Sequence, residues 1–182
     1  MTFDFQGYPL TFIQKQRCKD GTAHLATFIY KFYSPVTKYH YIVRAEQHEN
    51  NVFAIKFYCK KDRKSDFKYA KIINRGDLGN IIMSCAHVIP LLLQQFANAS
   101  FAFAAARSVD FRNKLIENIE CTQRYKLYAY MIPVKFGELT FEHIAYEKTS
   151  CYILRNKQSP ATINEIENLF KATYPSLLQW HV

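Results

Sequence analysis

The most constraining feature of the sequence is a run of apolar residues that recur at three- and four-residue steps from Leu78 to Phe96. This spacing predicts a helix that is buried over most of its circumference. Asp77 is its predicted N-cap, because an aspartate there can accept hydrogen bonds from the free amides of the first turn. Pro90 lacks an amide hydrogen and predicts a kink near the middle of the helix. The run is too short, and too polar on one stripe, to span a bilayer.

Strand-like segments lie on both sides of this helix. Residues 23–33, 39–46 and 52–60 are rich in β-branched and aromatic residues, and turn residues separate them. They predict an antiparallel meander with one face toward water. After the helix, residues 100–106 alternate aromatic with small side chains, which predicts a buried strand. A strand, a glycine turn, a helix and a strand in this order predict a crossover unit.

The second half of the chain predicts fewer elements. Residues 107–120 predict a charged surface segment in which a helical turn could form. A helix is predicted from Thr122, and residues 141–147 and 151–155 predict a closing pair of strands. A capping box beginning at Thr162 predicts a last helix.

Length and composition indicate one domain. The chain has 182 residues, 49% of them hydrophobic and 16% aromatic, which suits a single core built on sheet surfaces. We therefore predict an α+β fold with one domain over residues 1–182. Its sheet should be mixed and mostly antiparallel, with helices on its faces.

Cysteine usage and the N-terminal sequence indicate the compartment. The five cysteines are scattered without metal-type spacing, which predicts reduced thiols. Cys85 and His87 are two residues apart on the predicted helix and face different sides, so no metal site is predicted. Because the N-terminus has no basic segment followed by an apolar one, we predict a cytoplasmic protein with no membrane partner.

The net charge of +9 is concentrated in one place. Residues 60–75, here called the basic segment, contain seven basic and two acidic side chains. One interpretation is a solvated loop. The other is a polyanion site in which Lys60, Lys61, Arg63 and Lys64 contact the phosphates of a nucleic acid. Aromatic strands beside the segment could stack bases or form a protein interface, although no recognised RNA-binding motif is present.

The order of elements resembles the core of the GNAT acyltransferase superfamily over about residues 22–156. In that superfamily the loop before the central helix holds the acyl-CoA pyrophosphate on backbone amides. Its pattern is Arg or Gln, two residues, Gly, any residue, then Gly or Ala. The corresponding loop here reads Arg75-Gly76-Asp77-Leu78-Gly79-Asn80. It departs from the pattern because the second glycine comes one position late, Asn80 replaces a small residue, and Asp77 places negative charge where phosphate would approach.

The resemblance implies an acyl-CoA-dependent N-acyltransferase that uses acetyl-CoA or another acyl-CoA, with an unspecified small-molecule or protein amine as acceptor. It implies that Arg75, Gly76, Gly79 and Asn80 bind this cofactor.

The resemblance also implies a catalytic role for Tyr128, since many family members carry a tyrosine there that protonates the leaving thiolate. From the residues alone, a core tyrosine on the apolar helix face is the stronger interpretation of Tyr128. A base that takes the proton from the amine could be Glu46 or Glu142. The competing class is a basic nucleic-acid- or protein-binding module on a catalytically inactive fold.

Overall fold

The computed structural model describes residues 4–21, 23–71, 76–111 and 113–174. The strands in these residues are β1 (Thr11–Arg17), β2 (His24–Ser34), β3 (Tyr39–His48), β4 (Val52–Cys59), β5 (Ser100–Ala104), β6 (Val109–Asp110), β7 (Leu115–Ile116), β8 (Phe141–Tyr146) and β9 (Cys151–Asn156). The helices are α1 (Leu78–Ala86), α2 (Val88–Leu93), α3 (Gln123–Phe136) and α4 (Ile163–Thr173).

Seven strands form one open sheet in the order β1-β2-β3-β4-β5-β9-β8. The pairing of β4 with β5 is parallel, and every other pairing in this sheet is antiparallel. The helical crossover between β4 and β5 contains α1 and α2. The described residues thus form a single α+β domain with a mixed, mostly antiparallel sheet, and the prediction is confirmed at this level.

The parallel pair is short and its strands diverge. Its register runs from Val52 opposite Ser100 to Ile55 opposite Phe103. Beyond this point β4 continues to Cys59, whereas the described pairing of β5 continues only with β9 on its other side. The two central strands therefore separate after four residue pairs.

The face of the sheet under α1 and α3 holds the main core. Phe53 and Ile55 of β4, with Phe101 and Phe103 of β5, are buried there. Their alternation with residues on the other face confirms the period of two that the sequence predicts for both strands. Tyr128 of α3 packs its ring on Phe103 with the centroids 4.8 Å apart.

The apolar helix is divided in two. His87 lies between α1 and α2, and its amide donates to the carbonyl oxygens of Met83 at 3.1 Å and Ser84 at 3.2 Å. Because Pro90 has no amide hydrogen to donate to the carbonyl of Ala86, regular bonding fails here. The predicted kink is present as a break one turn before Pro90.

Asp77 is the N-cap residue of α1, as predicted, but its carboxylate makes no hydrogen bond to the first-turn amides. That part of the prediction is wrong. The carboxylate instead accepts from the Tyr8 hydroxyl at 2.9 Å, the side-chain amide of Asn80 at 3.1 Å and the Ser34 hydroxyl. The segment before β1 competes for this carboxylate, and nothing in the local sequence of the helix indicates it.

The opposite face of the sheet carries α4. Ile166 of α4 packs with Val52, Ile153 and Ala161 in a second, smaller core. The predicted capping box is confirmed, because the Thr162 hydroxyl and the Glu165 carboxylate satisfy each other's backbone amides. This face is therefore only partly open to water, which corrects the prediction of one wet face.

One other prediction is wrong and one is confirmed. Leu115 and Ile116 pair with Asp110 and Val109 in the short antiparallel ribbon β6–β7, and they are not part of a helical turn. The amide of Val109 donates to the carbonyl of Ala70 at 2.8 Å and ties this ribbon to the preceding segment. All five cysteines are free thiols, as predicted. In the described part of the chain, none of the helices has the length and apolar character needed to cross a bilayer.

Candidate ligand-binding site

A cavity of about 450 Å³ lies between α4 and the sheet, at the place where β4 and β5 diverge. We call it the α4 cavity. Its walls come from β4, β5, the β8–β9 pair and one side of α4. They consist of Ala54, Ile55, Lys56, Ala102, Phe103, Ala104, Tyr146, Thr149, Cys151, Ile153, Glu167, Phe170, Lys171 and Tyr174.

The cavity exists because the two central strands present small side chains to α4. Ala54, Ala102 and Ala104 occupy positions that alternate with the large side chains of the main core. Phe170 and Ile153 complete an apolar wall. An alanine leaves space that a larger aliphatic residue would fill, so the volume follows directly from these three positions.

The polar end of the cavity is a buried ionic cluster. Glu46 on β3 is 7% exposed, and its carboxylate lies 2.9 Å from the ammonium of Lys56 on β4. The Tyr174 hydroxyl donates to the same carboxylate, and the guanidinium of Arg44 lies 3.6 Å from it. The Lys56 ammonium also sits 3.9 Å from the centroid of the Tyr174 ring. Both Lys56 and Tyr174 line the cavity.

The electrostatics of this cluster keep Glu46 ionised. Burial by itself would raise the pKa of Glu46, but the charge of Lys56, the hydrogen bond from Tyr174 and the charge of Arg44 outweigh it and lower that pKa. Burial and the nearby carboxylate raise the pKa of Tyr174. The hydroxyl therefore stays protonated, and the pair is a tyrosine donor and a carboxylate acceptor.

His48 extends the cluster into the protein. It is fully buried, and its Nε2 lies 2.8 Å from the Tyr174 hydroxyl oxygen. Because that hydroxyl donates to Glu46, the Nε2 atom of His48 must carry the hydrogen in this contact. Burial, with the nearby His24, lowers the pKa of His48 to about 4, so the imidazole is neutral at pH 7.

The α4 side of the cavity carries further polar groups. The Tyr146 hydroxyl donates to the Glu167 carboxylate across the cavity wall. Burial, with this hydrogen bond, raises the pKa of Tyr146. Lys171, one turn after Glu167, also lines the cavity. The site thus combines an apolar floor with two lysines, which suits an apolar molecule that carries an anionic group.

The predicted cofactor turn lies on the other side of the sheet from the α4 cavity. A Cβ atom at Gly79 would lie 2.3 Å from the Phe5 ring, so this ring covers the glycine. Asn80 accepts from the amide of Gly7 at 3.3 Å and donates to Asp77. Gly76 has a positive φ of 70° and open space around it. The predicted partner Arg75 lies outside the described residues.

The remaining predicted catalytic residues are apart from the α4 cavity. Tyr128 is 2% exposed in the main core, and burial raises its pKa. Glu142 on β8 is exposed and accepts from Arg155 at 2.9 Å. Of the two carboxylates named from the sequence, only Glu46 lies beside the cavity. The catalytic role of Tyr128 and the cofactor role of the glycine turn stay predictions.

Part of the basic segment, Lys68 and Tyr69, lies next to the polar end of the α4 cavity. Lys68 and Lys56 both contact the Tyr69 ring, at 5.3 Å and 5.8 Å from its centroid. Lys61 covers the Tyr39 ring at 4.0 Å. The four side chains predicted to bind nucleic acid are exposed: Lys60, Lys61, Arg63 and Lys64. Their contact with a polyanion stays a prediction.

Sequence reasoning missed Lys56, Tyr174 and Glu167. Glu46 and Tyr174 are 128 residues apart, so no local pattern joins them. The one available signal was the alternation of phenylalanine with alanine in β5, which the sequence analysis assigned to a buried strand. The alanines could have indicated a cavity if the position of α4 had been known.

Within the described ranges, no group of three or more His, Cys, Asp or Glu side chains is placed to hold a metal ion. Comparisons of this chain with protein-family models, with curated proteins and with solved structures find no match. The class of protein that the fold defines is thus a single α+β domain with a ligand-sized cavity at a diverging parallel strand pair.

Proposed function

We propose that this chain is a GNAT-like protein that binds an acyl thioester, with the acyl arm in the α4 cavity. One observation carries the proposal. The cavity opens where the parallel pair diverges, its floor is made of alanines, and Lys56 stands at its polar end. A volume of about 450 Å³ lies within the usual range for small-molecule sites in proteins.

The order of the strands supports the GNAT-like part of the proposal. A meander of β2, β3 and β4 leads through a helical crossover to β5, and α3 leads to the closing pair β8–β9. This is the order of elements on which the resemblance in the sequence rests. The parallel pair in the middle of the sheet, with strands that separate, provides a gap beside which an extended arm can lie.

The state of the glycine turn favours the α4 cavity as the place for the acyl arm. Phe5 covers Gly79, and Asp77 is buried under Tyr8 at the start of α1. A buried carboxylate at a helix N-terminus repels phosphate. The binding energy for a ligand would therefore come from the apolar arm more than from a diphosphate.

Acyl transfer to an amine is the second part of the proposal. Glu46 and Tyr174 are hydrogen-bonded to each other at the polar end of the cavity, so they could accept one proton and donate another. The lowered pKa of Glu46 makes it a weak base at neutral pH. Binding of the thioester is accordingly the stronger expectation.

The test is calorimetric titration with octanoyl-pantetheine, which has the thioester and the apolar arm but no nucleotide. We expect a Kd of about 1 μM, or about 8 kcal/mol, for the wild type. Ala102→Leu fills the cavity floor and should weaken binding at least about tenfold. Ala145→Leu is the matched control, because Ala145 is an exposed residue of β8 that does not line the cavity. It should leave the Kd within about twofold.

Two results would contradict the proposal. Either no binding to the wild type, or equal binding to wild type and Ala102→Leu, would remove the α4 cavity as the site. If the wild type binds, release of free thiol in the presence of amines measures acyl transfer separately from binding. We expect any such release to decrease in Glu46→Gln, and a larger decrease in Tyr128→Phe would favour the role that the resemblance implies.

A further inference from the structure

The polar end of the α4 cavity is continuous with Lys68 and Tyr69 of the basic segment. Lys56 lines the cavity and contacts the ring of Tyr69. Lys68 of the basic segment contacts the same ring and also lies 5.0 Å from the centroid of the Tyr58 ring. A ligand that leaves the cavity past Lys56 therefore meets the basic segment next.

The charge of this surface is only partly compensated within the protein. Asp62 accepts from the Lys71 ammonium at 2.7 Å, so this acidic side chain is paired inside the segment. Asp66 is exposed on the same segment. Against it stand the four exposed cations of residues 60–64. The surface beside the cavity thus keeps a positive excess that favours an acidic partner.

An exposed apolar contact lies within the same surface. Phe67 of the basic segment and Phe111, which follows β6, are each 55% exposed, and their rings meet edge to face at 5.5 Å. Aromatic side chains surrounded by charged residues are typical of the centre of a protein interface.

The rings nearest to the cavity are poorly placed to stack bases. Lys68 occupies faces of both Tyr58 and Tyr69. A single-stranded nucleic acid binds chiefly by stacking on open aromatic faces, and it has no apolar arm for the α4 cavity. The combination of a cavity for an acyl arm with a basic surface therefore fits a protein partner better than a nucleic acid.

We propose that the acyl thioester reaches the α4 cavity on an acidic carrier protein that docks on residues 60–68. This inference rests on the proposed function and specifies its donor. The carrier's acidic surface contacts Lys60, Lys61 and Lys64, its apolar residues contact Phe67, and its acylated phosphopantetheine arm passes Lys56 into the cavity. The same arm on free coenzyme A has no protein body to bind this surface.

The test compares three probes by fluorescence anisotropy: an octanoyl-loaded acyl carrier protein, octanoyl-CoA and a single-stranded 20-nucleotide DNA. The variants are Lys60→Glu/Lys61→Glu/Lys64→Glu in the basic segment and Ala102→Leu in the cavity. We expect the charge reversal to weaken carrier binding at least about tenfold and to change octanoyl-CoA binding by less than about threefold. Ala102→Leu should weaken both acyl probes.

A second charge reversal provides the matched control. Lys19, Lys126 and Lys135 are exposed residues outside the basic segment, and Lys19→Glu/Lys126→Glu/Lys135→Glu changes the net charge by the same amount. It should change carrier binding by less than about threefold. Equal losses in the two triple variants would mean that only net charge matters, and the docking surface would then be rejected.

The remaining outcomes separate this inference from the proposed function. If octanoyl-pantetheine binds but the carrier protein binds no better than octanoyl-CoA, the α4 cavity remains the proposed thioester site and the carrier proposal is rejected. If the DNA binds more tightly than the carrier and loses affinity in the first triple variant, the surface is a nucleic-acid site. If no acyl probe binds, the proposed function itself fails.

Discussion

The two faces of the central strand pair carry the same backbone and opposite kinds of packing. On the α1 and α3 face, Phe53, Phe101 and Phe103 are fully buried, and the covered surface extends to Phe5 on Gly79. On the α4 face, the alternate positions are alanines, and a cavity of about 450 Å³ remains. One face therefore supplies stability, while the other leaves space for a ligand.

The two faces of the sheet also differ in the ionisable groups that they hold. The packed face holds Tyr128 and Cys85 near the buried guanidinium of Arg124, and burial raises the pKa of both groups. The cavity face holds Glu46 and Lys56 as a bonded pair with Tyr174. Paired charges beside a cavity can meet a ligand, whereas hydroxyls and thiols enclosed in a core mainly contribute to packing.

The largest expected effect comes from breaking the packed face. Phe101→Ala removes a fully buried ring from β5 and should lower the free energy of unfolding by about 3–5 kcal/mol. Urea denaturation measures this change. Phe111→Ala is the matched control, because its ring is 55% exposed, and it should cost less than about 1 kcal/mol. Similar losses in the two variants would mean that the packed face does not dominate stability.

Much of this packed face could be predicted from the sequence. The alternation in residues 52–60 and 100–106 places the phenylalanines on one side, because side-chain direction in a strand depends only on the parity of the position. The helices also followed from local signals, such as Thr122 and the capping box at Thr162. Local physics is sufficient wherever neighbours in sequence determine the structure.

The cavity face could not be predicted in the same way. Its walls come from β4, β5 and α4, so its volume depends on where α4 crosses the sheet. The contact of Glu46 with Tyr174 and that of Gly79 with Phe5 each join distant parts of the chain. Gly79 was predicted to make room for phosphate, yet the residue that approaches it belongs to the segment before β1. A glycine in a sequence indicates that another group can approach the backbone closely, but it does not identify that group.

A smaller effect is expected from pH, and it belongs to the cavity face. In the fold the pKa of His48 is about 4, below the ordinary value of 6.5, so only the unfolded chain takes up this proton as the pH falls through that window. The wild type should therefore lose about 2 kcal/mol between pH 7 and pH 5 from this group. The lowered pKa of Glu46 adds no loss until the pH falls below its ordinary value of 4.5.

His48→Gln tests this assignment, because the glutamine amide can still donate to the Tyr174 hydroxyl but does not titrate. Urea unfolding at pH 7 and pH 5 should show about 2 kcal/mol less pH dependence in His48→Gln than in the wild type. The matched control is His40→Gln on the exposed end of β3, which should retain the pH dependence of the wild type. A pH dependence in His48→Gln equal to that of the wild type would contradict the low pKa of His48.

The smallest expected change concerns the cavity floor, and its sign is informative. Ala102→Leu adds apolar atoms to space that α4 and the sheet already enclose, so it should raise the free energy of unfolding by about 0.5–1 kcal/mol. The same substitution is expected to remove thioester binding. A gain in stability with a loss of binding is the result expected when a protein keeps a cavity for a ligand at the expense of packing.

Thermal unfolding with and without octanoyl-pantetheine measures both quantities, and Ala145→Leu provides the baseline. If Ala102→Leu lowered stability by more than about 1 kcal/mol, the space beside Ala102 would be too small for a side chain, and the contrast between the two faces would be one of residue size without a usable cavity.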